Sequence, residues 1–297
     1  MRALLVGVVS LLVFALGSPV AAAAADTTPL ARAHAHNDYE HDRPLFDALS
    51  HGFTSAEADI WLKDGELLIG HDLPDLRPGR TLESLYLKPL RDRIRAHRGS
   101  VYPDYEHPFT LLMDIKSAGR STYRALHREL RRYQAMLTTF GPWGVHEGPI
   151  TVVISGNRPR GLMESQLIRY AAYDGRLSDL GSGSPPSFMP LISDDWTEHF
   201  TWTGEGEMPA DERRKLRAIV GTAHANGQRI RFWATPERPG KARENVWREL
   251  LAARVDSVNT DHLADLADFL LANDPEPTEP YVTWEGATGP VKARRTA

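Results

Sequence analysis

Apolar and polar positions along this chain follow two periods. Short apolar runs stand between longer stretches in which apolar residues recur every three or four positions. The runs predict strands at Ala31–Asn37, Ser55–Leu62, Phe109–Ile115, Ile150–Ile154, Phe188–Ser193, Arg229–Ala234 and Ser257–Asn259. The longer period predicts helices at Pro44–His51, Leu82–Arg98 (broken at Pro89), Tyr123–Thr138, from near Pro159, and at Ala210–Asn226, Arg243–Ala253 and Leu263–Ala272. Lys63-Asp64-Gly65 predicts a tight hairpin with Glu66–Gly70 as its return strand. Apolar strands alternating with amphipathic helices imply parallel strands covered by helices. The α/β pattern, near seven or eight units, therefore predicts one TIM-type (β/α)8 barrel with room for irregular units. A doubly wound open sheet is the competing arrangement, but no Gly-rich phosphate turn follows the first strand. Gly175–Pro186 and Trp196–Pro209 read as loops of the kind that barrels extend around an active site.

The first residues change the picture of where the barrel works. Arg2, the apolar run Ala3–Leu16 and the small-residue zone through Ala25 predict a signal peptide over residues 1–25 and a secreted mature chain. An uncleaved anchor is the alternative; the run is short for the ~20 residues of a membrane span, and Pro19 interrupts it. No later segment is apolar and long enough to cross a bilayer. The barrel is expected over 26–273, followed by a poorly ordered Pro/Glu/Thr tail over 274–297. The absence of cysteine excludes disulfides, thiolate metal sites and a cysteine nucleophile. A net charge of −4 with basic residues spread along the chain gives no electrostatic footprint for nucleic acid. Oligomeric state is not legible in the sequence.

The candidate chemistry gathers in the first quarter of the chain. Glu57 and Asp59 lie at i and i+2 of an apolar strand, so they share a face roughly 6–7 Å apart. Two like charges on a covered face call for a cation or a proton between them. Asp114 ends the third main strand, where barrels place active-site residues, and offers a third carboxylate. Lys116 falls on the same face, either to balance the carboxylates or to contact a phosphate oxygen. An all-oxygen set points to one hard divalent cation, Mg²⁺ or Ca²⁺, rather than zinc. His36 and His71 flank the carboxylate strand at element ends and can accept and donate a proton. His34 shares the strand face of His36, and the residues alone do not choose between them. Metal-assisted phosphodiester cleavage fits this layout.

The order H-N-x-Y, E-x-D, H-D and a strand-end carboxylate resembles the superfamily of phosphatidylinositol-specific phospholipase C and glycerophosphodiester phosphodiesterase. HAHNDYEHDRPLFDALSHGFTSAEADIWLKDGELLIGHD is most similar to its bacterial and fungal branch, the altered-inheritance-of-mitochondria protein 6-like proteins. The likeness is dense from Ala33 to Leu90 and thinner through MDIK, ISDDW, RFWATP and VNTDH. It implies a TIM-type barrel, divalent-metal-dependent hydrolysis, His36 and His71 as catalytic histidines, and Glu57, Asp59, Asp114 and Asn37 as metal ligands. Lys116 matches a substrate-side lysine, and Trp233 and Asp261 match late-barrel positions that shape the pocket. The Arg that the glycerophosphodiesterase branch carries beside its first histidine is replaced here by Asn37. The expected substrate is a phosphodiester small molecule or lipid head group, without nucleic acid as a partner. A sphingomyelinase D-like lipid phosphodiesterase, a secreted barrel that binds without turnover, and a sugar isomerase-like metal barrel are the competing readings. Trp196 and Trp233 either hold an apolar or sugar-like group or simply pack.

Overall fold

Runs such as Phe109–Ile115 and Ile150–Gly156 carry apolar, β-branched residues on both sides, which suits parallel strands covered on both faces. The computed structural model of the chain describes residues 27–283. Its main strands are β1 (Leu30–Ala35), β2 (Phe53–Lys63), β3 (Phe109–Ile115), β4 (Ile150–Gly156), β5 (Ala172–Gly175), β6 (Leu191–Asp195), β7 (Arg229–Trp233) and β8 (Ser257–Thr260). They pair in parallel in chain order, and β1 pairs with both β8 and β2, so the ring closes. The TIM-type barrel expected from the sequence is the fold. Glu66–Ile69 returns antiparallel on the upper half of β2, as the Asp64-Gly65 turn predicts.

Strand alternation divides the residues between two compartments. Ala56, Ala58 and Ile60 join the large core between strands and helices, while Glu57 and Asp59 face inward. Leu112, Val153 and Leu191 form a separate small apolar cluster inside the barrel. Each stands two residues before an inward polar side chain (Asp114, Ser155, Ser193), so this cluster is the floor of the polar mouth. Register then levels the carboxylates: Asp59 lies beside Asp114, and Asp114 beside Ser155.

Several expectations are corrected. Pro89 does not break its helix: a π-helical turn over Glu83–Leu87 runs into an α-helix over Lys88–Ala96, with the proline in the first α turn, where no N–H is needed. The helix expected at Tyr123–Thr138 is Gly119–Arg132, followed by a small hairpin of Thr139–Gly141 and Gly144–His146. β5 is missing from the sequence reading because four residues with an inward Asp and a terminal Gly carry too little apolar signal. Its connection to β6 holds a single 3₁₀ turn, Leu177–Asp179, in place of a covering helix. Trp196 is an ordinary packing residue, 2 % exposed, stacked on Phe200 with ring centroids 4.2 Å apart.

The tail is also corrected in part. Residues 274–283 pack across the base of the barrel, because Arg32, buried inside β1 at 1 % exposure, needs partners there. Its guanidinium pairs with Asp274 and donates to the carbonyls of Glu276 and, at 2.7 Å, Glu279. Tyr281 covers it at 4.3 Å, and the Val282 carbonyl accepts from Arg229. Residues 1–26 and 284–297, including the expected signal peptide, lie outside the described residues. No helix among the described residues is long and apolar enough to cross a membrane.

Candidate active site

β1 ends at Ala35, and the backbone continues one step further when His36 N–H donates to the Thr260 carbonyl at 3.0 Å. Asn37 then turns the chain at φ 46°, ψ 36°, a left-handed conformation that Asn tolerates better than most residues. His36 is left at the C-terminal rim of the barrel with Nδ1 2.8 Å from Asp261 Oδ1 and Nε2 4.0 Å from Glu57 Oε2. Burial acts to lower the His36 pKa, but the hydrogen bond to Asp261 and the charge of Glu57 more than offset it, and the net shift is upward. Burial acts to raise Asp261, yet its bond to His36 wins and holds that carboxyl below its ordinary value. With Nδ1–H donated to Asp261, Nε2 presents its lone pair to the cavity.

Glu57, Asp59 and Asp114 each offer an oxygen within 4.8 Å of the other two. Burial and the charge of Glu57 push Asp59 up to about 6, while burial raises Asp114 against the pull of Lys116. The Lys116 ammonium sits 3.2 Å from both Asp59 Oδ2 and Asp114 Oδ2. Burial works against its charge, but the two carboxylates prevail and raise its pKa. Asp59 Oδ1 is buried without a partner among the described residues. A carboxylate oxygen left bare beside two others is the arrangement that a hard cation satisfies.

Tyr39 joins this group to the second histidine, and the sequence reading missed it. Its hydroxyl lies 2.7 Å from Asp59 Oδ2, 2.9 Å from Asn37 Oδ1 and 3.2 Å from His71 Nδ1. Burial and the adjacent carboxylate push this phenol far above its ordinary pKa, so it stays a donor. His71, on the loop after the return strand, has Nδ1 3.0 Å from Asp59 Oδ2 and a half-exposed ring. Both histidines therefore direct Nδ1 at a carboxylate. H-N-x-Y was itself the signal for Tyr39, since residue i+2 after a turn at Asn37 folds back over β2.

Arg231 is the second residue that sequence reasoning missed. Its guanidinium reaches Glu57 Oε2 at 2.7 Å and Asn259 Oδ1 at 2.8 Å, inside the barrel. Burial acts to raise Glu57, but the Arg231 charge and the His34 hydrogen bond hold it well below the usual carboxylate range. His34 is sealed beneath the site, 2.6 Å from Ser55 Oγ, and burial followed by the Arg231 charge lowers it to about 4. It is a neutral packing partner, which leaves His36 as the histidine of the mouth. The signal for Arg231 was present: Arg229, Arg231 and Trp233 alternate with apolar residues along β7.

The structure thus brings His36, Glu57, Asp59, His71, Asp114 and Lys116 to one end of the barrel. Asn37 is beside them, but its amide oxygen faces the Tyr39 hydroxyl and its Nδ2 donates to Asp261 Oδ1 at 3.3 Å. Trp233 stands across the mouth at the end of β7, with the Arg176 guanidinium 4.7 Å from its ring centre. Asp261 does more than shape the pocket, since it fixes the His36 ring.

One further carboxyl lies near this rim. Glu237 Oε2 accepts from Thr260 Oγ1 at 3.0 Å, and its Oε1 is buried without a partner among the described residues. Burial pushes this group up from 4.5 to about 7, against the pull of that hydrogen bond. A raised folded-state pKa means that its stabilisation is fully present below about pH 4.5 and is lost as pH rises through about 7. Glu237→Gln should therefore match the wild type at pH 4.5 and exceed it by about 1–3 kcal/mol at pH 8.5 in urea unfolding. Equal stabilities at pH 8.5 would mean that this carboxyl is ionised without cost.

An AIM6-like phosphodiesterase domain model matches residues 22–174, and a glycerophosphoryl diester phosphodiesterase family model matches 229–264, which contains Arg231, Trp233 and Asp261. Altered inheritance of mitochondria protein 6 from Eremothecium gossypii is 30% identical over 289 residues, covering 85% of this chain and 72% of that protein. A homolog from Arthroderma benhamiae is 28% identical over 257 residues, covering 77% of this chain and 80% of the relative. Among solved structures, a glycerophosphoryl diester phosphodiesterase from Parabacteroides distasonis aligns with 13% identity and a TM-score of 0.49 over 84% of this chain and 88% of that one. A family match over half of the chain makes this protein a member of the AIM6-like phosphodiesterase domain family.

Proposed function

We propose that this protein is an exported, divalent-cation-dependent phosphodiesterase acting on a glycerophosphodiester or a lipid-derived head group. One observation carries the reading: two histidines, each with Nδ1 against a carboxylate, stand beside three mutually close carboxylate oxygens, His36 4.0 Å from Glu57 and His71 3.0 Å from Asp59. Glu57, Asp59 and Asp114 fit a hard cation, Mg²⁺ or Ca²⁺, since all offer oxygen and Asp59 Oδ1 has no other partner among the described residues. When bound there, such a cation offsets the negative charge that develops on a phosphate oxygen in the transition state.

The chain's own residues supply the proton traffic. Asp261 holds His36 with Nε2 toward the cavity, where it takes a proton from the attacking oxygen. Asp59 and Tyr39 hold Nδ1 of His71, so its Nε2 delivers a proton to the leaving oxygen. Lys116 keeps a positive charge at the rim of the carboxylates, within reach of a phosphate oxygen. Arg231 keeps Glu57 ionised whatever the pH of the surroundings in the ordinary range.

The decisive assay is hydrolysis of glycerophosphodiesters, inositol phospholipids and sphingomyelin with and without chelator. Activity should vanish with EDTA and return with Mg²⁺ or Ca²⁺. Asp59→Asn should weaken divalent binding at least about tenfold by titration calorimetry. Full turnover in excess chelator would remove the metal from the reaction. Export is tested by the amino terminus of secreted protein, expected near Asp26.

A further inference from the structure

On the side of the mouth opposite His36, a buried carboxylate appears with no place in the proton traffic. Asp174 on β5 is 0 % exposed, inside the barrel. Its Oδ2 accepts from Ser155 Oγ at 2.7 Å, and both of its oxygens stand 2.6 Å from Ser193 Oγ. A buried carboxylate is costly unless it is paired as well as hydrogen-bonded. The pairing group is Arg176, whose Nη1 reaches Asp174 Oδ2 at 2.7 Å and the Gly175 carbonyl at 3.0 Å.

This clamp fixes one side of the guanidinium only. On the other side, Nη2 meets Ser155 Oγ at 3.3 Å, and Nε has no partner among the described residues, although it is not sealed from solvent as Arg158 Nε is. The guanidinium carbon lies 4.7 Å over the Trp233 ring centre, a cation–π contact that favours this placement. The side chain remains 23% exposed at the mouth. Ser155 is the direct strand neighbour of Asp114, so the free edge lies one strand from the carboxylate group. A planar guanidinium clamped through Nη1, with Nε unpartnered among the described residues and Nη2 held only by the 3.3 Å contact to Ser155, presents an Nε/Nη2 edge of the kind that chelates a phosphate through two parallel hydrogen bonds.

We propose that the Nε/Nη2 edge of Arg176, oriented by Asp174 and Trp233, is a substrate-binding fork for a phosphate oxygen. The proposal rests on the phosphodiesterase reading for its ligand class and places a second phosphate-holding cation two strands along the rim from Lys116. It assigns specificity to geometry: a lysine at this position keeps the charge that Asp174 requires and loses the fork.

The test measures phosphate binding and turnover separately. Inorganic phosphate and glycerol 3-phosphate are titrated calorimetrically into the full chain and into Arg176→Lys, with divalent cation present. The lysine variant should keep its melting temperature and bind both anions about 10–100-fold more weakly, with KM for a phosphodiester raised by a similar factor. Should Arg176→Lys not fold, Asp174→Asn/Arg176→Gln removes the buried charge and the fork together and should show the same loss. Wild-type anion affinity in a folded variant of either kind overturns the fork. Loss of anion affinity in the variant, with no phosphodiester cleaved by the wild type, supports the fork and sinks the reaction; normal cleavage with unchanged anion affinity does the reverse.

Discussion

Replacing His36 by alanine is expected to lower kcat by about 10²–10⁴ while leaving thermal stability close to that of the wild type. The ring lies at the rim, bonded mainly to Asp261, so its loss opens no core cavity. Asp261→Asn should follow it with a smaller loss, about 10–10³, because a neutral amide holds the ring less firmly and does not favour the imidazolium. The pH profile separates this role from a structural one. The bond to Asp261 is the strongest influence raising the His36 pKa, so the variant's acidic limb should move to lower pH. The matching experiment at the other histidine uses leaving groups. His71→Ala should be severely impaired on an alkyl phosphodiester and much less so on a p-nitrophenyl ester, whose leaving oxygen needs no proton. Equal losses on both substrates would deny His71 the role of acid, and wild-type turnover in His36→Ala would remove the base.

Arg231→Met is the second large effect, and it falls on stability. The side chains of Arg231 and Glu57 are 3% and 7% exposed, and their contact is 2.7 Å. Removing the guanidinium strands a buried carboxylate and should cost about 3–5 kcal/mol in urea unfolding. Much of that cost is the uncompensated charge, so adding Glu57→Gln should recover a large part of it. The double variant should stay inactive, because Glu57 also belongs to the carboxylate trio. A loss below 1 kcal/mol for Arg231→Met would mean that water reaches Glu57 and that the pair is not sealed. Stability and activity thus come apart at Glu57: one oxygen is committed to Arg231 and the same carboxylate serves the mouth.

The spread of what could be read in advance follows chain distance. Glu57 and Asp59 share a face by strand period alone, and His36 and His71 flank them within one strand–helix–strand–hairpin segment. Asp114 needs one further step, the rule that barrel chemistry sits at the C-terminal ends of strands. The carboxylates and His71 were therefore accessible from local pattern, whereas the choice of His36 over His34 needed the burial of His34 against Ser55. The partners that set their protonation were not. Asp261 meets His36 across 225 residues and Arg231 meets Glu57 across 174, contacts that exist only because β8 closes on β1. Tyr39 was near in sequence, yet its aim at Asp59 depends on the left-handed turn at Asn37.

The sequence by itself determined most of the alternation of strands and helices, the shared face of the first carboxylates, and the presence of histidines beside them, because strand and helix periods are local properties of the chain. Only the tertiary structure decided that Arg231 charges Glu57, that Asp261 orients His36, that Arg176 is clamped by Asp174, and that residues 274–283 cover Arg32 at the base. The physical reason is that a buried charge selects its partner by ring closure and register, and neither is contained in the period of any one segment.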